Sequence, residues 1–200
     1  DPAGEAQVLT AMGATYLQLG QSEKALEFDN RALAIARSVR DKTIEAMALG
    51  VLGGAYRELG QNEKALECFN QELGLRQADG NDSNISVSLN RIAGVYLNMA
   101  DTANAYKYFK QALQLKRDSS TLNNLGQLYA ILGEFEQARD CYDEALSLTR
   151  ADDDRIGQAA TLSNIGALYR DLGEPQNAIE YYNRALPLMQ AMNNRSGEAS

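Results

Sequence analysis

Tyrosines recur at Tyr16, Tyr56, Tyr96, Tyr129 and Tyr169, separated by 40, 40, 33 and 40 residues. Each follows a small residue three positions earlier, at Gly13, Gly53, Ala93, Gly126 and Gly166. Each precedes a break four positions later, at Gly20, Gly60, Ala100, Gly133 and Gly173. A chain that repeats at this period is an array of one small supersecondary unit, because a single copy is too short to bury a core and must stack on its neighbours. Function then belongs on an extended surface rather than in an enclosed pocket.

Each copy resolves into two helices, A and B. In the second copy Leu49, Leu52, Gly53 and Tyr56 fall at i, i+3, i+4 and i+7, one stripe of an α-helix. Gly60 then ends helix A in the left-handed conformation, and Asn62 is placed to cap helix B through its side-chain oxygen. Helix B carries Ala65, Leu66, Phe69 and Leu73 on its apolar face. The same order recurs after Gly20, Gly133 and Gly173, where Pro175 suits a first helical turn. Gly13 on helix A and Ala25 on helix B leave room for the pair to approach closely, and the tyrosines, on the leucine face, read as core. Cys68 and Cys141 stand where other copies carry Phe28, Tyr108 and Tyr181, so they read as core fillers. Two cysteines in 200 residues give no disulfide framework, and a reducing, intracellular setting is expected.

The segments GGAYRELGQNEKALECFNQEL (53–73) and GALYRDLGEPQNAIEYYNRAL (166–186) resemble the tetratricopeptide repeat. The resemblance covers essentially the whole chain. It implies an all-α, right-handed superhelical solenoid of five antiparallel helix pairs in a single domain, 1–200. The repeats fall near 1–40, 41–80, 81–117, 118–152 and 153–192, with a truncated sixth beginning at 193–200. The family's usual repeat is shorter, so helices here should run further. In this the chain resembles the 40-residue subclass of Pins/LGN-type adaptors and of bacterial multi-repeat signalling proteins. The copy between Tyr96 and Tyr129 is seven residues shorter, which places an irregularity near Lys116 to Ser120. Three residues depart from the pattern: Asp29 replaces an aromatic, Glu72 replaces an alanine, and Pro187 should kink or fray the last helix B.

A net charge of −8 argues against a nucleic-acid partner, since phosphate binding needs clustered Lys and Arg. No apolar run approaches the roughly 20 residues that span a bilayer, so no membrane contact is expected and the location reads as cytoplasmic. Starting at Asp1 without methionine, the chain reads as a fragment or a processed product. There is no histidine, hence neither the commonest general base nor the commonest nitrogen ligand. Asp152-Asp153-Asp154 lacks the spacing of a calcium loop and reads as a turn with a helix N-cap. No enzyme, cofactor or metal is expected.

In the family, helix A lines a concave groove. Carried over through the glycine and tyrosine landmarks, its ligand-facing positions are a row of Ala11, Val51, Arg91, Asn124 and Asn164 beside a row of Thr10, Gly50, Asn90, Asn123 and Ser163, with Ala14, Gly54, Gly94, Gln127 and Ala167 a turn further on. Repeated asparagines offer an acceptor and two donors each to the backbone of an extended peptide. The plainer alternative is that asparagine serves solubility on an exposed face. Arg57, Arg91 and Arg170 add a contact for a carboxylate, although Glu58 and Asp171 beside two of them reduce the local field. The resemblance thus implies a scaffold holding a peptide or protein segment. The alternative is a regulatory, sensor or self-assembly segment of a larger bacterial signalling protein of the ATPase or CHAT-protease type. Ile179, Tyr182 and Leu186 would lack a covering helix, which makes self-association through an open C-terminal end a further candidate.

Overall fold

The computed structural model describes residues 1–197, with side chains described to residue 191. Among the described residues there are ten α-helices and no strand: α1 (Pro2–Gln18), α2 (Ser22–Val39), α3 (Lys42–Glu58), α4 (Asn62–Asp79), α5 (Asp82–Asn98), α6 (Thr102–Leu115), α7 (Ser119–Ile131), α8 (Phe135–Ala151), α9 (Arg155–Asp171) and α10 (Pro175–Gly197). Consecutive helices pack as pairs, with odd-numbered helices in the A role and even-numbered ones in the B role. The chain divides into two compact units, one of α1 to α6 (Asp1–Lys116) and one beginning at Arg117. No described helix is long and apolar enough to cross a membrane.

The turn inside each pair is the same in all five copies. The carbonyl of Tyr16 accepts a backbone bond from Gln21, as Tyr56 does from Gln61, Tyr96 from Asp101, Tyr129 from Glu134 and Tyr169 from Glu174, each at 2.9 Å. Gly20 also donates to Leu17, completing the paired bonds of a Schellman closure. That closure needs a left-handed residue, supplied by Gly20, Gly60, Gly133 and Gly173 and, in the third copy, by Ala100 at φ 57°. The closing residue is also the cap of the next helix: Gln61 holds the N-cap of α4 without a side-chain bond. Asn62, expected as the cap, is instead the first helical residue, and its Oδ1 is buried without a partner. Side-chain caps sit on the turns between repeats, where Asp41, Asn81, Asp118 and Asp154 accept from backbone amides of α3, α5, α7 and α9, and inside the third pair, where Asp101 accepts from Asn104 of α6.

The short copy loses length from two helices. α6 has 14 residues against 18 in α2 and α4, and α7 has 13 against 17 in α1, α3, α5 and α9. The connection at 116–118 is one residue longer than those at 40–41 and 80–81 and passes through extended backbone at Lys116 and Asp118. The unit boundary falls there. At the far end α10 continues through Pro187. The expected sixth repeat, from Asn193 to Ser200, lies outside the residues whose side chains are described.

In three pairs the small residue of helix A sits under a ring of helix B. A Cβ on Gly53 would lie 2.5 Å from the Phe69 ring, on Gly126 2.6 Å from Tyr142 and on Gly166 2.7 Å from Tyr182, closer than real Cβ atoms approach. Ala25, Ala65, Ala105 and Ala138 of the B helices are fully buried. The repeating tyrosines are half-buried rather than core, contrary to expectation. Their rings stack on the outer edge of the pair, Tyr16 on Phe28 at 5.2 Å, Tyr96 on Tyr108 at 5.5 Å and Tyr169 on Tyr181 at 5.3 Å, which leaves one face toward solvent. Cys68 and Cys141, at the matching positions in the other two copies, are likewise half-buried.

Asp29 occupies the ring slot of the first pair. It is 0% exposed and lies against Gly13, where a Cβ would overlap its carboxylate, and neither oxygen has a hydrogen-bond partner. Burial pushes its pKa up to about 8.

Two predictions follow the packing. Gly126→Ala should cost on the order of 1–3 kcal/mol through overpacking against Tyr142. Gly74→Ala, on an exposed helical surface with nothing near a new Cβ, should instead stabilise by about 0.5–1 kcal/mol. Urea midpoints at constant slope distinguish the two signs. Asp29 gives a third expectation. Folded Asp29 keeps its proton to about pH 8 while its ordinary value is 3.8, so the folded state binds the extra proton and stability falls as pH rises through that window. Relative to Asp29→Asn, the wild-type chain should lose up to about 1.4 kcal/mol per pH unit there. Thermal midpoints of the two proteins converging at pH 4 and diverging toward pH 8 are the expected result.

Candidate functional site

In the first unit, four helices converge on an open cavity of about 290 Å³. α1 contributes Gln7, Thr10, Ala11 and Ala14, α3 contributes Met47 and Val51, α4 contributes Arg76 and α5 contributes Arg91. Val51 and Arg91 thus come together with Ala11 from the expected row. Asn90 and Arg57, both half-buried, are not among the lining residues. Arg76 and Met47 escaped the sequence reading because its landmarks select single positions of helix A, whereas Arg76 projects from helix B. A signal existed: Glu72, four residues before Arg76, stands at a position that is alanine in the other copies.

Glu72 organises the charge of this cavity. Its side chain is 1% exposed, and Oε1 accepts from Arg91 Nη1 at 2.7 Å with Arg76 Nε 3.9 Å away. Gly50 makes this possible, because a Cβ there would overlap the Arg91 guanidinium and crowd Glu72. Arg91 also lies over the Phe69 ring, 6.0 Å from its centroid. Burial raises the Glu72 pKa while Arg91 opposes that shift through its charge and hydrogen bond. Arg57 is drawn below the usual arginine range by burial, with Glu58 opposing and the like charge of Arg91 adding to the effect. Three guanidinium groups therefore share one region with one deeply buried carboxylate.

In the second unit, Asn123 of α7 and Asn164 of α9 meet. Asn164 Nδ2 donates to Asn123 Oδ1 at 3.2 Å, Asn123 Nδ2 donates to Thr161 Oγ1 at 2.9 Å, and Thr161 Oγ1 donates to the Gly157 carbonyl at 2.8 Å. Each amide still has bonding capacity to spare, since an asparagine offers two N–H groups and an oxygen with two lone pairs. Asn124 is half-buried and Gln127 exposed. Arg170 is exposed and turned to Asp171, whose Oδ1 accepts from Nε at 3.0 Å and from Nη2 at 2.9 Å. That hydrogen bond raises the Arg170 pKa. Thr161 was not picked out in the sequence because its partner lies one repeat away.

The Glu72–Arg91 pair yields a prediction. Arg91→Ala leaves a buried carboxylate with only a distant partner and should destabilise the chain by about 1–3 kcal/mol. Glu72→Ala with Arg91→Ala restores the small residue found in the other copies and should recover most of that loss. A double-mutant cycle on urea unfolding reads the coupling directly.

Comparison with known proteins bears on the whole of this architecture. A family profile described as tetratricopeptide repeat matches residues 4–78 and 117–191, and a second with the same description matches residues 87–119. No curated protein matches the chain. Among solved structures, BtubC (BKLC) from P. vanneervenii is similar with a TM-score of 0.74 at 22% identity, over 96% of this chain and 82% of that one. A Rap protein complexed with competence and sporulation factor gives a TM-score of 0.77 at 14% identity, over 97% and 66% of the two chains. The apo form of RapI gives 0.71 at 16% identity, over 97% and 86%. At these identities the likeness is one of fold.

Proposed function

The chain belongs to the tetratricopeptide repeat family, and on that premise we propose that it is a protein-interaction scaffold whose A helices hold an extended peptide or protein segment. The observation that carries this reading is the cavity of the first unit, where Val51 and Arg91 join Thr10, Ala11, Ala14, Met47 and Arg76 from four separate helices. Ala11, Ala14, Met47 and Val51 give it apolar wall, and Gln7, Thr10, Arg76 and Arg91 bring polar groups to the same space, a mixture that suits recognition. Arg76 and Arg91 against Glu72 leave this cavity positive on a chain of net charge −8, with Arg57 nearby but offset by Glu58. An acidic side chain or terminal carboxylate of the bound segment suits it best. In the second unit Asn123, the counterpart of Asn90, and Asn124 and Asn164, the counterparts of Arg91, supply amides for a ligand backbone together with Gln127, and Arg170 is the weaker contact because Asp171 already engages it.

Filling the cavity tests the reading without disturbing the ion pair. Ala11→Trp should leave the helical circular dichroism unchanged and weaken binding of a segment captured by pull-down by at least about tenfold, a loss of about 1.4 kcal/mol. Unchanged affinity in that variant and in an Asn123→Ala, Asn164→Ala double variant would overturn the groove.

A further inference from the structure

The joint between one helix pair and the next is filled differently from copy to copy. Where α2 meets α3, Ala36 and Ile44 pack with Ala6, backed by Ala3 and Ile35, in one apolar cluster, and both are buried. In the second unit the equivalent positions are Thr149 and Gly157. Thr149 is buried, and a Cβ on Gly157 would lie 2.6 Å from its methyl group, so these two positions are also in contact. Where α4 meets α5, inside the first unit, the same two positions are Arg76 and Asn84. Here they border an open cavity of about 370 Å³, completed by the first turn of α3. Sites for small molecules start at roughly 300 Å³.

The lining is divided by chemistry. Ala46 of α3, with Leu75 and Ala78 of α4, supplies apolar wall. Arg76 and Asp79, three residues apart and hence on one face of α4, bring a guanidinium and a carboxylate to the same space. Arg76 Nε is buried without a hydrogen-bond partner. Glu72 lies 3.9 Å from it and already accepts from Arg91 at 2.7 Å. A buried donor in that state is unfavourable, and a ligand oxygen relieves it. Lys42, the other cation of the lining, is engaged by Glu45 at 2.8 Å, so Arg76 is the better donor.

We propose that this cavity binds a free α-amino acid with an apolar side chain, its carboxylate on Arg76, its ammonium on Asp79 and its side chain against Ala46, Leu75 and Ala78. A ligand carrying both charges uses both groups of α4, whereas a simple carboxylate would meet Asp79 as a like charge. The site shares only Arg76 with the groove cavity and does not depend on the groove reading.

Titration of the chain with L-leucine, followed through its backbone amide resonances by NMR, tests the assignment. Saturable shifts are expected at the start of α3, the end of α4 and the start of α5. N-acetyl-L-leucine lacks the ammonium and L-leucinamide the carboxylate, and each should bind at least about tenfold more weakly. Asn84→Ile inserts the residue that fills the first joint and should abolish binding. Asp79→Asn, at an exposed position, should weaken L-leucine by about the factor that acetylation does and leave N-acetyl-L-leucine unchanged. Ala11→Trp, which fills the groove cavity alone, should bind L-leucine as the wild type does, so loss of the groove and loss of this site are read separately. The proposal is overturned by absence of saturable shifts, by shifts centred on Ala11 and Val51, or by either analogue binding as tightly as L-leucine. A folded Asn84→Ile chain that still binds, or an Asp79→Asn chain that binds L-leucine undiminished, overturns it too.

Discussion

The approach of helix B to helix A over a residue with no side chain is the constraint on which the rest of the structure depends. Gly53, Gly126 and Gly166 let a ring lie where a Cβ would otherwise stand. With that spacing fixed, the connecting turn has little freedom, and the Schellman closure that fits it recurs bond for bond through the carbonyls of Tyr16, Tyr56, Tyr96, Tyr129 and Tyr169. The rings then protrude far enough past their own pair to enter the next one, as Phe69 does between Ile92 and Val95. One close contact thus sets the pair, its turn and its joint with the neighbour.

This chain of dependence explains what a reader of the sequence sees. Close packing, left-handed closure and ring insertion each restrict one position to a few residue types, so the period, the helix pairs and the shortened copy are all legible. Ala100 shows the limit of such rules, since it holds a left-handed φ of 57° without being glycine. The misreading of Asn62 has a physical origin too: closure of one helix and capping of the next share a single residue, so the cap moved one position back to Gln61. The candidate site was legible in part. Val51 and Arg91 followed from helix A landmarks, whereas Arg76 and the Asn123–Asn164–Thr161 bonds depend on side chains meeting across helices, which no local spacing encodes.

Three buried carboxylates show how differently one array treats charge. Glu45 is held between Lys42 at 2.8 Å and Arg37 at 2.9 Å, and the hydrogen bond from Lys42, with that from Arg37, keeps its pKa low against the effect of burial. Glu72 has Arg91 and a more distant Arg76, and burial prevails. Asp29 has neither cation nor donor. Buried carboxylates thus carry separate meanings along the array, a clamp on a surface turn, an organiser of the groove and an unrelieved strain.

That strain has a consequence for how the molecule opens. In a linear array each helix pair opens and closes against its neighbours only, so local differences in stability become differences in position along the chain. A carboxylate deprotonated inside the first pair loosens α1 and α2 while leaving α5 and α6 untouched. Amide protons of the first two helices then exchange with solvent ahead of the rest as the medium turns alkaline. Proton concentration selects the end from which the first unit begins to melt.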